Sequence, residues 1–108
     1  DVDAIYIPID STVQTAMAQV VEAANAAGIP VYGSDPVMVQ SGALACVSVS
    51  NTQLGERSAE MADEILRGAA VSSVPAEALD EYQYVISRSA AETLNITVPE
   101  GDNYQVIG

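Results

Sequence analysis

The stretch Ala4-Ile5-Tyr6-Ile7-Pro8-Ile9-Asp10-Ser11-Thr12 passes from a β-like apolar run into a small polar cluster that begins a helix. The same transition recurs at Gly33-Ser34-Asp35-Pro36 and at Val49-Ser50-Asn51-Thr52. Strands that enter helices through short loops build a parallel α/β sheet, whose crossovers are almost always right-handed. The sequence therefore predicts an α/β fold of three layers, with a mainly parallel sheet and helices on both faces.

Hydrophobic periodicity extends this prediction along the chain. Apolar residues from Val13 to Ala27 recur at intervals of three and four, which is typical of an amphipathic helix. In a second long helix a similar stripe is predicted to face the core, formed by Leu54, Met61, Ala62, Ile65 and Leu66. We predict strands near 4–9, 30–33, 43–50 and 82–87, helices near 12–27, 36–40, 52–67 and 88–94, and extended structure from 96 to 108.

Length and composition indicate a single folded domain over residues 1–108. Hydrophobic residues make up 49% of the 108 positions, enough for one core but not for two. The chain has 15 acidic residues against three basic ones and a net charge of −12. Because binding to nucleic acids and anionic membranes depends on Lys and Arg, this charge argues against both.

The residue types that are missing narrow the chemistry further. With no His and no Lys, the chain lacks a Ser-His or Cys-His pair, a Schiff-base lysine and a phosphate-loop lysine. The single cysteine, Cys46, cannot form an internal disulfide and is predicted to be a buried small hydrophobe. No spacing of Asp and Glu matches a calcium loop. We therefore expect no catalytic residues, no metal and no cofactor.

Polar side chains follow three of the predicted strands, where open α/β sheets bind ligands. The predicted ligand-binding residues are Asp10, Ser11, Thr12, Ser34, Asp35, Ser50 and Asn51. The start of the first long helix is suited to a carboxylate, and Asp35 or Asp10 is suited to an ammonium group. Helix capping accounts equally well for these residue types at these positions.

Tyrosines of the predicted strand regions offer a second possible contact with a ligand. They are Tyr6, Tyr32, Tyr82 and Tyr84. Tyrosine in a strand either stacks on an aromatic ligand or packs at the rim of the core, and the sequence does not choose between these roles.

Several ordered stretches resemble the ABC transporter substrate-binding proteins of the tryptophan/tyrosine type, which have the Rossmann-like type I periplasmic-binding fold. The stretches are 3–10 (DAIYIPID), 23–31 (AANAAGIPV), 41–45 (SGALA), 54–55 (LG), 61–68 (MADEILRG) and 90–99 (AAETLNITVP). The family commonly has Gly where this chain has Asn95, a residue that adopts the same left-handed cap.

The resemblance implies a two-lobed protein that clamps a small solute, of which residues 1–108 form the second lobe. It further implies an amino acid, possibly aromatic, as ligand and an ABC importer permease as partner. The protein would be extracytoplasmic, either in the periplasm or at the cell surface as a lipoprotein. The N-terminal lobe would lie outside these residues, so we expect the lobe alone to form a homodimer through surfaces that it leaves uncovered.

A different class of function stays open at this point. A small α/β enzyme or regulatory domain would use Asp10 and Asp35 for acid–base chemistry or as Mg²⁺ ligands. Turnover in the presence of Mg²⁺ distinguishes that alternative from a binding module.

Overall fold

The computed structural model describes residues 1–108 and contains one five-stranded sheet in the order β1-β2-β3-β4-β5. The strands are β1 Ile5–Tyr6, β2 Val31–Gly33, β3 Ala45–Ser48, β4 Gln83–Ser87 and β5 Tyr104–Ile107. The pairs β1–β2, β2–β3 and β4–β5 are parallel, and β3–β4 is antiparallel. The predicted α/β class and mainly parallel sheet are confirmed.

The helices are α1 Ser11–Thr15, α2 Met17–Ala26, α3 Pro36–Gln40, α4 Asn51–Leu66 and α5 Arg88–Thr93, with a 3₁₀ turn at Val71–Ser73. None of them combines the length and apolar character that crossing a bilayer requires. The single helix predicted over 12–27 is instead two helices that meet at Ala16. The Thr15 hydroxyl donates a hydrogen bond to the Ser11 carbonyl oxygen at 2.7 Å, and such bonds bend helices. The Ala16 amide donates to the Val13 carbonyl oxygen at 2.9 Å.

The C-terminal tail supplies a strand that the sequence predicted only as extended structure. β5 pairs with β4 over four residue pairs, from Tyr84–Tyr104 to Ser87–Ile107. The rings of Tyr84 and Tyr104 pack edge to face with centroids 5.9 Å apart. This pairing partner is remote in sequence, so local patterning does not reveal it.

The two faces of the sheet differ in how they are covered. The covered face packs Ile7, Val31, Cys46 and Val85 against α1–α3, and contributes to a core with Met17, Ala24, Met38 and Val39. The opposite face, which we call the tyrosine face, presents Tyr6, Tyr32, Val47, Tyr84 and Tyr104. At one end of the tyrosine face, Ala90 and Ala91 of α5 form a small buried cluster with Leu44, and partly buried Ala45 packs against this cluster.

A close approach between β2 and α3 depends on Gly33. A Cβ atom on this residue would lie 2.8 Å from Cβ of Met38, which is fully buried. Only glycine therefore lets α3 pack directly on the covered face at this point.

The chain divides into two compact units. The first comprises residues 1–48 and 83–108 and contains the sheet; the second, Val49–Tyr82, contains α4 and the segment after it. Within the second unit Arg57 forms ion pairs with Glu77 at 2.8 Å and with Glu60 at 3.0 Å. The side-chain amide of Gln53 donates a hydrogen bond to the Glu81 carboxylate at 3.0 Å.

The inward-facing stripe predicted for α4 is wrong, since no residue of this helix is buried. Leu66 is 85% exposed and Leu54 42%. The second unit has no strand of its own, so an amphipathic pattern there has no sheet within the unit to pack on.

Candidate functional site

The loops after β1 and β2 leave the same edge of the sheet, because these two strands are parallel neighbours. A hydrogen bond ties the loops together: the Ser34 hydroxyl donates to the Ile7 carbonyl oxygen at 2.9 Å. The structure thus brings Asp10 and the first two residues of α1, Ser11 and Thr12, to the same edge as Ser34 and Asp35 of the other loop.

The Asp10 carboxylate caps α1. One of its oxygens accepts hydrogen bonds from the Thr12 amide at 2.9 Å and the Val13 amide at 3.0 Å. Asp10 thus has the capping role that the sequence offered as the alternative to ligand binding, and the Thr12 and Val13 amides are engaged by the protein's own carboxylate. The hydroxyls of Ser11 and Thr12 remain exposed at this position.

The Asp35 carboxylate is only partly engaged. One oxygen accepts a hydrogen bond from the Val37 amide at 2.8 Å and so caps α3, in which Pro36 has no amide hydrogen to offer. The second oxygen has no hydrogen-bonding partner in the protein. Asp35 is half-buried at the carboxyl edge of the sheet, and this oxygen is available there as an acceptor.

A group that the sequence did not single out lies at the end of β3. The Ser48 hydroxyl is enclosed and has no hydrogen-bonding partner. It points to the covered face beside the buried Cys46. Burial raises the pKa of the Cys46 thiol, contact with Ser48 opposes the shift, and the Asp35 charge adds to it. The thiol is therefore neutral and unreactive at pH 7, as predicted.

Ser50 and Asn51 belong to the second unit. The Ser50 hydroxyl accepts a hydrogen bond from the backbone amide of Gln53 at 3.3 Å and so caps α4. Asn51 is the first residue of that helix and is exposed. Capping accounts for Ser50, while the Asn51 side chain makes no hydrogen bond.

The tyrosine face carries a groove of about 370 Å³. Its lining includes Tyr6, Tyr32, Val47, Tyr84 and Tyr104, but none of the predicted ligand-binding residues. Tyr104 was not among the tyrosines considered from sequence, since its strand was not predicted, and Tyr82 does not line the groove. No cluster of three or more Cys, Asp or Glu is arranged to hold a metal ion.

A mainly parallel sheet with its polar loops at the carboxyl edge is the framework of a small-molecule binding domain. Residues 1–102 match the model of the family described as ABC transporter substrate binding protein. The chain belongs to that family.

The names of two similar proteins refer to aromatic amino acids. A tyrosine-binding protein of Clostridioides difficile strain R20291 is 33% identical over 106 residues, which are 98% of this chain and 31% of that protein. One similar solved structure is an ABC domain from Streptococcus pneumonia in complex with L-Trp. It is 34% identical and has a TM-score of 0.82, and the match covers 99% of this chain and 37% of that one.

A third similar structure is the ligand-free, open form of a substrate binding protein with adhesive properties from Clostridium difficile. It has a TM-score of 0.83 and 30% identity, covering 98% of this chain and 36% of that one. The 108 residues thus span about a third of the length of the proteins they match.

Proposed function

We propose that this chain is the ligand-binding part of a substrate-binding protein that delivers an amino acid, preferably an aromatic one, to an ABC importer. One observation carries the proposal: half-buried Asp35 has a free carboxylate oxygen, on a loop that the Ser34 hydroxyl ties to the preceding loop by its 2.9 Å bond to the Ile7 carbonyl oxygen. The aromatic preference is supported by the tyrosine-binding relative and the L-Trp complex.

In the proposed binding mode, the free oxygen of Asp35 accepts a hydrogen bond from the ligand's ammonium group. A charge-assisted bond of this kind is short and about twice as strong as a neutral one. The exposed hydroxyls of Ser11 and Thr12 donate to the ligand carboxylate, in place of the amides that Asp10 caps. Asp10 keeps one oxygen for the ligand. The binding roles of Ser50 and Asn51, in the second unit, stay predictions.

The proposal extends to the rest of the protein. Residues 1–108 act as one lobe, an N-terminal lobe outside them closes over the solute, and the pair docks on an importer permease. The protein works outside the cytoplasm, in the periplasm or on the cell surface as a lipoprotein. The family is one of substrate-binding proteins and one relative is named a tyrosine-binding protein, which supports a role in binding and not in catalysis.

Isothermal titration of the 108-residue chain tests this function. A two-lobed receptor buries ~70–90% of its ligand, so one lobe loses much of the contact area. We expect L-tyrosine and L-tryptophan to bind with Kd near 1 mM, about 4 kcal/mol. Tyramine, which lacks the carboxylate, and 3-(4-hydroxyphenyl)propionate, which lacks the ammonium, should bind at least tenfold more weakly.

The variant Asp35→Asn should weaken L-tyrosine binding about tenfold, or ~1.4 kcal/mol. Glu22→Gln is the matched control, because it removes one exposed negative charge from α2, away from the loops of the site. Unchanged affinity in Asp35→Asn would contradict the proposed role of this carboxylate. Product formation with Mg²⁺ present would instead support the alternative of an enzyme that uses Asp10 and Asp35.

A further inference from the structure

The loop that carries Asp35 is bonded to a buried methionine. Ser34 directly precedes Asp35, and its backbone amide donates a hydrogen bond to the Sδ atom of Met38 at 3.5 Å. The Ser34 hydroxyl, which donates to the Ile7 carbonyl oxygen, lies 3.8 Å from the same sulfur. No backbone carbonyl oxygen accepts from the Ser34 amide. The thioether is therefore the acceptor for this partly buried amide.

Met38 contacts the Ser34–Asp35 segment at both ends. Its sulfur accepts from the Ser34 amide, and its own backbone amide donates to the Asp35 carbonyl oxygen at 3.0 Å. The Met38 side chain is fully buried in the core of the covered face. Because close packing holds core side chains in one rotamer, the sulfur stays in place below the loop. The position of the Asp35 carboxylate is thus coupled to the core through Met38.

The sulfur atom of Met38 does more than fill space. Gly33 leaves room for it, since a Cβ atom at Gly33 would lie 3.2 Å from Sδ. A thioether is a weak hydrogen-bond acceptor, whereas a hydrocarbon side chain of the same length accepts nothing. Met17 of α2 is buried in the same core but makes no hydrogen bond to Ser34. Loss of the sulfur therefore affects the loop at position 38 and not at position 17.

We infer that Met38 is a positioning residue of the amino-acid site, whose sulfur orients the Ser34–Asp35 segment so that the free Asp35 oxygen meets the ligand's ammonium group. The inference rests on the proposed function for the identity of the ligand group. The bond between the sulfur and the Ser34 amide is independent of that function. Because Met38 acts through Asp35, loss of its sulfur weakens the binding of ligands that have an ammonium group and leaves the binding of others unchanged.

Replacement of the Met38 sulfur by a methylene group tests the inference with little change in side-chain shape. The chain has three methionines, so Met38 is the only one left in the double variant Met17→Leu, Met61→Leu. A methionine auxotroph then incorporates methionine, norleucine or selenomethionine at position 38 alone, once any initiator residue is cleaved off. Norleucine has a methylene group in place of the sulfur, and selenomethionine keeps a weak acceptor there.

Two measurements compare the three proteins. Norleucine should accelerate hydrogen exchange of the Ser34 amide about fivefold, because this amide loses its acceptor. Exchange of the buried Val85 amide in β4 should not change, which separates a local effect from general destabilisation. Norleucine should also weaken L-tyrosine binding about threefold and leave binding of 3-(4-hydroxyphenyl)propionate, which lacks the ammonium group, unchanged. Selenomethionine should restore the values found with methionine.

Three outcomes overturn the inference. Unchanged Ser34 exchange with norleucine would show that the sulfur does not hold the amide. Equal acceleration at Ser34 and Val85, or equal loss of affinity for both ligands, would leave Met38 as a residue of the core only. L-tyrosine affinity that norleucine leaves unchanged would overturn this inference and not the proposed function. If the methionine-containing protein binds no L-tyrosine, the proposed function fails, and with it the part of the inference that concerns the ligand.

Discussion

Single hydroxyl groups at the carboxyl edge of the sheet have opposite energetic roles. The Ser34 hydroxyl bridges two loops through the Ile7 carbonyl oxygen, whereas the Ser48 hydroxyl is enclosed with no partner. Burying a polar group without a hydrogen bond costs about 1–3 kcal/mol, while a satisfied one contributes about 1 kcal/mol. The two serines therefore allow a direct comparison within one site.

Replacing Ser48 by alanine should leave the free energy of unfolding unchanged or raise it by up to about 1 kcal/mol, because the unsatisfied hydroxyl is removed. Ser34→Ala is the matched control and should lower it by about 1 kcal/mol through loss of the bridge to Ile7. Urea unfolding monitored by circular dichroism measures both. A loss of stability in Ser48→Ala as large as in Ser34→Ala would show that Ser48 has a partner.

Asn95 is the one non-glycine residue with a positive φ, at 58°. Left-handed backbone costs about 1–2 kcal/mol for residues other than Gly, Asn and Asp, so Asn95→Ala should lower the free energy of unfolding by about 1 kcal/mol. Asn95→Gly should stay within about 0.5 kcal/mol of the parent. Asn25 lies in α2 and is the control, because there the Ala variant should have a free energy of unfolding about 1 kcal/mol higher than the Gly variant. The same order at both positions would refute a left-handed cap at Asn95.

Among the helices and strands, the starts of helices that depend on neighbouring residue types were predictable from the sequence. Strand pairing and helix burial, which depend on residues distant in the chain, were not. Asp10 and Asp35 occupy the cap positions that their residue types indicated. β5 was missed because its pairing with β4 joins residues about twenty positions apart, from Tyr84 to Tyr104. The burial of α4 was mispredicted because periodicity indicates an apolar side but not what lies against it.

The same limit applies to the candidate site. Parallel neighbours place the Asp10 and Asp35 loops at one edge, which the order of strands and helices already implied. Which amides remain free, and that Ser48 is enclosed without a partner, depend on side-chain positions that composition and spacing do not specify.

In the second unit the Arg57 guanidinium contacts Glu60 within α4 and Glu77 in the segment after the helix. Arg57→Gln should loosen the segment around Glu77, and we expect limited proteolysis there to accelerate several-fold at pH 7. Arg67→Gln is the control, since Arg67 pairs only within α4, with Asp63 at 2.7 Å. Equal cleavage in parent and Arg57→Gln would show that this ion pair does not hold the segment.

The same contact predicts a pH dependence of known sign. Arg57 lowers the pKa of Glu77 below its ordinary value near 4.5. A carboxylate whose pKa is lower in the folded state stabilises it above the unfolded pKa, and the effect disappears as pH falls through the folded pKa. Amide exchange of the segment should therefore differ between parent and Arg57→Gln at pH 6, and the difference should shrink as pH falls below 4.5. A difference that grows as pH falls below 4.5 would contradict this assignment.

For the whole molecule, a net charge of −12 opposes association while the uncovered tyrosine face favours it. Salt screens charge repulsion over about 10 Å at 0.1 M and about 3 Å at 1 M. Light scattering of the 108-residue chain should therefore show a dimer that strengthens as NaCl is raised. Val47→Glu should weaken this dimer at every salt concentration, whereas Val37→Glu places the same charge on α3 and should not. A monomer at all salt concentrations would contradict this prediction.

NMR titration of the 108-residue chain with L-tyrosine tests most directly whether the loops after β1 and β2 hold an amino acid. We expect saturable amide shifts, with Kd near 1 mM, concentrated at Asp10–Thr12 and Ser34–Asp35 and largely lost in Asp35→Asn. Shifts concentrated instead at Tyr32, Val47 and Tyr84 would place the ligand in the groove of the tyrosine face and contradict binding at the loops.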